Sequence, residues 1–307
     1  MAATPPVKQM QRKTVEGPRT TMKRTPFHLP LLALLLSLLF AHANSTTAQR
    51  ALDRSRTLGL AIGTGYYLGE LNPTGHFKGT LHTARGAFMR FNYNRRLGVK
   101  VGVLGTTIEA HDADSDDAWR QNRNLHFRNR IIEGSAVVEF NYKDYQLGDT
   151  YDAFSPYLFA GLSVYSHMPT AMVGEQWLEL QPLGTEGQGT TGGAQRYATT
   201  GLAIPFGLGF KWNIARFTAV NFEWGMRRTF TDYLDDVSGY YPSSAVLEDE
   251  LGDLAERLSD QRVFVDGSVA DPIGQQRGEG SFDDRFGVLS ISIIFRVDRK
   301  PNNCWKG

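Results

Sequence analysis

The chain has 307 residues, with 33 Lys and Arg against 32 Asp and Glu, a formal net charge of +1, 41% hydrophobic residues and one cysteine. Near-neutral charge removes the electrostatic footprint of a nucleic-acid binder, and a lone Cys304 cannot close an internal disulfide. No apolar run beyond residue 48 approaches the roughly 20 residues that a helix needs to cross a bilayer, so helical spans are excluded there.

Residues 1–21 are polar and read as an upstream leader, with Met22 as an alternative start. Residues 22–48 have the pattern of a secretory signal peptide. Met22-Lys23-Arg24 precede the apolar run Leu29 to Phe40, and small-residue cleavage sites follow at Ala41-His42-Ala43 and Thr46-Thr47-Ala48. Residues 1–48 hold six basic residues and one acidic, a net of +5 within the total of +1, which leaves −4 for the remainder. An exported chain without disulfides needs another source of stability, and a closed sheet in lipid is one answer.

From Thr57 the sequence alternates with period two. Leu58, Leu60, Ile62, Tyr66 and Leu68 share one face, with Gly59, Ala61, Gly63, Gly65 and Gly69 on the other. Ala87, Met89, Phe91 and Tyr93 oppose Gly86, Phe88, Arg90 and Asn92. After a turn at Asn94-Arg95-Arg96, Val99, Val101 and Val103 alternate with Lys100 and Gly102. Between Arg130 and Tyr142, Ile132, Val138, Phe140 and Tyr142 oppose Glu133, Ser135, Glu139 and Asn141. Pro156 to Tyr165 is apolar on both faces, which leaves its phase open.

Tyr197 to Asp236 is the clearest hairpin. Leu202, Ile204, Phe206, Leu208, Phe210 and Trp212 lead into a turn at Asn213-Ile214-Ala215-Arg216, and Val220, Phe222, Trp224 and Met226 return. Gly207, Gly209, Lys211, Asn221, Glu223, Gly225 and Arg227 form the opposite face. Arg285 to Val297 closes the series, with Leu289, Ile291, Ile293 and Phe295 against Ser290, Ser292 and Arg296. Long strands with a greasy face backed by small or charged residues predict an all-β fold: an eight-stranded antiparallel transmembrane barrel over 57–297, with a tail at 298–307. A soluble eight-stranded cup would place its large residues inside and its polar ones outside.

Connections after the second, fourth and sixth strands are short, while the others are long. Outer-membrane barrels of Gram-negative bacteria have this asymmetry, with turns in the periplasm and loops outside the cell. The inward face then carries Arg90, Lys100, Glu133, Glu139, Glu223 and Arg227. An eight-stranded interior is about wide enough for side chains alone, so these charges are expected to neutralise one another and plug the lumen.

Several stretches are more specific. Asp112-Ala113-Asp114-Ser115 with Arg123 to Arg128, Pro156 to Gly161, Leu180 to Gly189, Ile204 to Gly209 and Phe230 to Ser238 together resemble the PorG-like outer-membrane barrels of the type IX secretion system. The resemblance covers nearly all of the mature chain. It implies association with a periplasmic ring formed by a lipoprotein and its partner subunit, and no catalytic residues or cofactors. Such a partner must touch the short turns, the segment from Gln49 or the tail, so Arg95, Arg96, Lys143, Asp144, Tyr145 and Arg216 are the contact candidates. The alternative is a free-standing surface or adhesion barrel.

Other suggestive features have plainer readings. Asp112, Asp114, Asp116 and Asp117 lack the turn glycine and distal glutamate of a calcium loop, and Arg120, Arg123, Arg128 and Arg130 are placed to pair with them. The glycine-rich run around Glu186, Gly187 and Gly189 lacks the Lys-Ser/Thr of a phosphate cradle. Leu247, Leu251, Leu254 and Leu258 predict an amphipathic helix over 244–258, with Ser244 as its N-cap. His76, His82, His111, His126 and His167 come with no Gly-x-Ser-x-Gly motif or metal-binding pair, so no enzyme is expected.

Overall fold

The computed structural model describes residues 54–73, 75–77, 80–262 and 272–298; the leader, the signal peptide, Cys304 and most of the tail lie outside these. Nine strands form: β1 (Ser55–Leu68), β2 (His82–Asn92), β3 (Leu97–His111), β4 (His126–Asn141), β5 (Phe154–Val173), β6 (Gln176–Glu179), β7 (Thr200–Ala215), β8 (Thr218–Thr229) and β9 (Arg285–Arg296). Eight of them close a barrel in which every neighbour is antiparallel. The sheet order β4-β3-β2-β1-β9-β8-β7-β5 is joined at its ends by β4–β5 pairing. The seam between first and last strands pairs Leu58 with Phe295 and Ile62 with Ile291. Closure leaves no edge, so every strand in the wall has a neighbour on both sides for its N–H and C=O groups. The ninth strand, β6, pairs only with the far end of β5, from Thr170↔Glu179 to Val173↔Gln176.

The alternation decides which face is out. Leu60, Ile62, Val103, Ile132, Val138, Leu158, Leu162 and Leu202 are all more than half exposed, and together they make an apolar outer wall. In β5, where the sequence left the phase open, Leu158, Leu162 and Val164 point out while Tyr157, Phe159, Ser163 and Tyr165 fill the interior. No described helix is long and apolar enough to cross a membrane, which says nothing about crossing by strands. At 15, 16 and 20 residues, β3, β4 and β5 exceed the roughly 9–11 residues that span a bilayer, so their ends stand clear of it on the long-loop side.

Three local expectations are revised. The sixth turn is tighter than expected: β7 runs through Asn213 to Ala215, with an irregular register there, and only Arg216-Phe217 turn the chain. Tyr66, expected on the outer face, is 1% exposed because the first long connection folds over it: the Phe77 ring lies 4.6 Å away, and the Tyr66 hydroxyl accepts from Trp224 Nε1 at 2.8 Å. The single helix over 244–258 is two, α2 (Ser244–Leu251) and α3 (Asp253–Ser259), following α1 (Ala118–Arg123). Gly252 at φ 93° ends α2 by donating to Leu247 and Glu248, and Ser243 rather than Ser244 is the N-cap.

Candidate functional site

The barrel interior is built in layers. In the half nearer the short turns, Glu139 on β4 receives Arg90 from β2 (Nε–Oε2 2.7 Å) and Lys211 from β7 (Nζ–Oε2 2.6 Å), with Lys100 from β3 at 3.6 Å. Lys100 also pairs with Glu223 on β8, which accepts from the Tyr157 hydroxyl at 2.6 Å. One layer further up, Arg227 meets Glu133 at 3.1 Å. Rings fill the gaps, with Lys211 4.3 Å from the Tyr157 centroid, Lys100 4.8 Å from Phe159 and Arg90 5.2 Å from Phe88. All six lumen residues read from the sequence are thus paired, Arg90, Lys100, Glu139 and Glu223 in one network and Arg227 with Glu133 in a separate pair. The network adds Lys211, which that reading had placed on the correct face without assigning it a partner.

The short-turn end is closed from below. The connection 142–153 folds inward: Leu147 packs against Phe88, Ala219 and Ile294, and the Tyr145 hydroxyl donates to Asn213 Oδ1 at 2.7 Å. Asn213 Nδ2 donates to the carbonyls of Gln146 and Asp149, and Arg296 to that of Leu147. Gly148, at φ 84°, passes so close to the Arg216 carbonyl that a Cβ would collide with it. Arg95 pairs with Asp152, and Arg96 with Asp144 at 2.7 Å. Of the six partner-contact candidates, Arg96, Lys143 and Arg216 are exposed, Arg95 and Asp144 are half-buried and already paired, and Tyr145 is turned into the cap.

The opposite mouth is closed by the long connections. Leu234 and Val237 join Tyr67, Leu71, Ile108, Phe127, Ile131, Tyr165 and Phe286 in one buried apolar cluster. Asn129 donates to the Leu234 carbonyl at 2.6 Å, while Leu234 N–H donates to Asp284. Around this plug, buried charges pair across connections. Asp112 receives Arg123 through Nε and Nη2 at 2.6 and 2.7 Å. Glu186 receives Arg277 at 2.9 Å and the amides of Ser238 and Gly239, which explains an acid inside a glycine-rich run. Asp236, beside Arg277, is pushed up to about 6, chiefly by burial.

The aspartate-rich stretch is therefore used internally. Asp112 is taken by Arg123, and Asp117 caps α1 by accepting from Trp119 N–H at 3.0 Å. Arg128 turns instead to Glu109, which also meets His82 (2.8 Å) and His111 (3.0 Å). His126 accepts from Met172 N–H, and His167 is buried against Ala198. Glu70, Asp232 and Asp284 bring oxygens within 4.8 Å of one another. Both Asp284 oxygens are already committed, to the Tyr67 hydroxyl and Leu234 N–H, so we do not read these carboxylates as metal ligands. Of Glu70, Asp232 and Asp284, only Asp232 falls in a stretch singled out from the sequence, Phe230 to Ser238.

Residues 32–264 match a family described as a domain of unknown function, DUF6089. The chain belongs to that family. Among curated proteins, none matches it. Among solved structures, this DUF6089 chain is similar to the N-terminal β-barrel domain of Pseudomonas aeruginosa OprF, with 7% identity, 79% of this chain and 100% of that one covered, and a TM-score of 0.32. It is also similar to Neisserial surface protein A (11% identity, 79% and 98% covered, TM-score 0.36) and to the outer membrane protein OprG of Pseudomonas aeruginosa (7%, 80% and 98%, 0.38). At these scores the barrel rests on its own strand register.

Proposed function

We propose that this chain is a non-enzymatic outer-membrane barrel of a Gram-negative envelope that acts by holding partners at the membrane. The partner we propose is the periplasmic ring lipoprotein of the type IX secretion system with its partner subunit, as the resemblance implies. The observation that supports this reading is the filled interior: Arg90, Glu139 and Lys211 are at most 1% exposed, and Leu147 and Tyr145 close the short-turn end beneath them. A barrel filled in this way has its surfaces left to work with. On the periplasmic side those are the cap held by Arg95 and Asp152, and the exposed Arg96, Lys143 and Arg216.

The test is a mild-detergent pull-down of the tagged chain from outer membranes. The secretion reading expects ring components to co-purify, and to be lost when Arg96, Lys143 and Arg216 are reversed to Glu. Recovery of a heat-modifiable barrel alone supports the second reading, a free-standing surface barrel. That reading draws on the opposite end, where α1, α2, α3 and β6 build an ordered cap larger than the periplasmic one.

A further inference from the structure

Tyr67 is the last inward-facing aromatic of β1, where the barrel ends and the long connections begin. Its hydroxyl oxygen lies 2.6 Å from Asp235 Oδ2 and 2.6 Å from Asp284 Oδ1. A phenol has one proton and can donate to only one of these. The other contact needs a proton on the carboxyl itself. The remaining oxygens are occupied, Asp235 Oδ1 by Val237 N–H and Asp284 Oδ2 by Leu234 N–H, both at 2.9 Å. The extra proton therefore lies on the oxygen facing Tyr67, in one acid or the other.

Among the described residues, no cation makes an ion pair with these carboxyls. The groups facing this trio are Glu70 after β1, Asp232 in the same connection as Asp235, Asp283 beside Asp284, Tyr165 on β5 and Arg123 on α1. Arg123 is fully engaged by Asp112, and Arg277 by Glu186 and Asp236. Glu279 and Glu186 add negative charge at a distance, while His76 and Arg120 line the pocket that adjoins Glu70. Three further oxygens, Glu70 Oε2 and both of Asp232, are buried without a hydrogen-bond partner. Asp235 and Asp284 are 1% and 0% exposed inside an apolar cluster, where unpaired carboxylates are costly.

We propose that this mouth is a proton-operated latch, in which carboxyl protons shared through Tyr67 hold the Leu234–Val237 plug in the barrel and their loss releases it. The latch is independent of the secretion reading. Burial and mutual repulsion push Asp235 and Asp284 well above the usual carboxylate range, Glu70 up to about 8 and Asp232 up to about 7. Groups raised in this way stabilise the folded mouth fully below their ordinary values near 4, and that contribution is lost as pH rises through 7 and 8.

Hydrogen exchange of the full chain in lipid vesicles, corrected for intrinsic rates, reads the latch across pH 5 to 9. We expect protection of residues 230–241 to fall across pH 5 to 8 in the wild type, by about tenfold per pH unit for each proton the mouth holds, with the strand ladder unchanged. Asparagine at Asp235 or Asp284 supplies a fixed donor to the Tyr67 oxygen, so one of Asp235→Asn and Asp284→Asn should flatten the pH profile. The carboxyl carbonyl stretch in the infrared should be present at pH 6 and diminished in that variant. Tyr67→Phe should show at pH 6 the loosened mouth of the wild type at high pH. Protection flat with pH, or no protonated-carboxyl band, overturns the latch. So does protection at pH 6 that falls with a chelator and returns with calcium, since that outcome makes the cluster a cation site.

Discussion

The two ends of the interior solve one problem in opposite ways. Near the short turns, Arg90, Lys100, Lys211 and Arg227 face Glu133, Glu139 and Glu223, and each charge has an opposite partner within 4 Å. At the other mouth Glu70, Asp232, Asp235 and Asp284 gather around Tyr67 while the nearby guanidiniums serve other acids. Pairing fixes a structure at any pH where both partners are charged. A carboxyl cluster fixes it only while protons are held, which makes the mouth the end that can change.

The largest expected effect breaks the paired end. Glu139→Gln strands Arg90 and Lys211 in a dry interior and should cost about 3–5 kcal/mol, read as a lower urea midpoint for folding into vesicles. Adding Lys211→Met to that variant should recover part of the loss, because the two residues share one network. Leu147→Ala opens the cap at the short-turn end and should cost about 2–4 kcal/mol, since a buried leucine leaves a cavity beneath Phe88 and Ile294. Tyr67→Phe leaves two buried carboxyls without their shared donor and should cost about 1–3 kcal/mol, confined to the mouth and visible as local exchange rather than global unfolding. The smallest effect is Arg96→Glu, whose exposed pair with Asp144 contributes under about 1 kcal/mol, so any change it makes in partner recovery reports on binding.

The wall of the barrel was legible because period-two alternation is a local signal: Leu58 to Ile62 or Val99 to Val103 reveal their outer face without knowledge of any neighbour. Which lumen charges would meet was less so. Glu139 and Lys211 are 72 residues apart and touch because β4 and β7 flank β5 on its two sides. Leu147 was the missed clue at the short-turn end, an apolar residue in a polar turn, and with it Tyr145 turns inward. Gly252 was visible as a helix breaker, yet the leucine spacing ran through it. The carboxyl cluster had no linear signature, since Tyr67 reaches Asp235 and Asp284 across 168 and 217 residues.

Planar-bilayer recording of the purified barrel tests the central claim, a lumen filled from end to end, most directly. The account predicts a membrane that stays silent at neutral pH in the wild type, with conductance appearing only when Glu139 is replaced together with the Leu147 cap. Large, steady conductance from the unmodified chain would contradict it and make the barrel a channel.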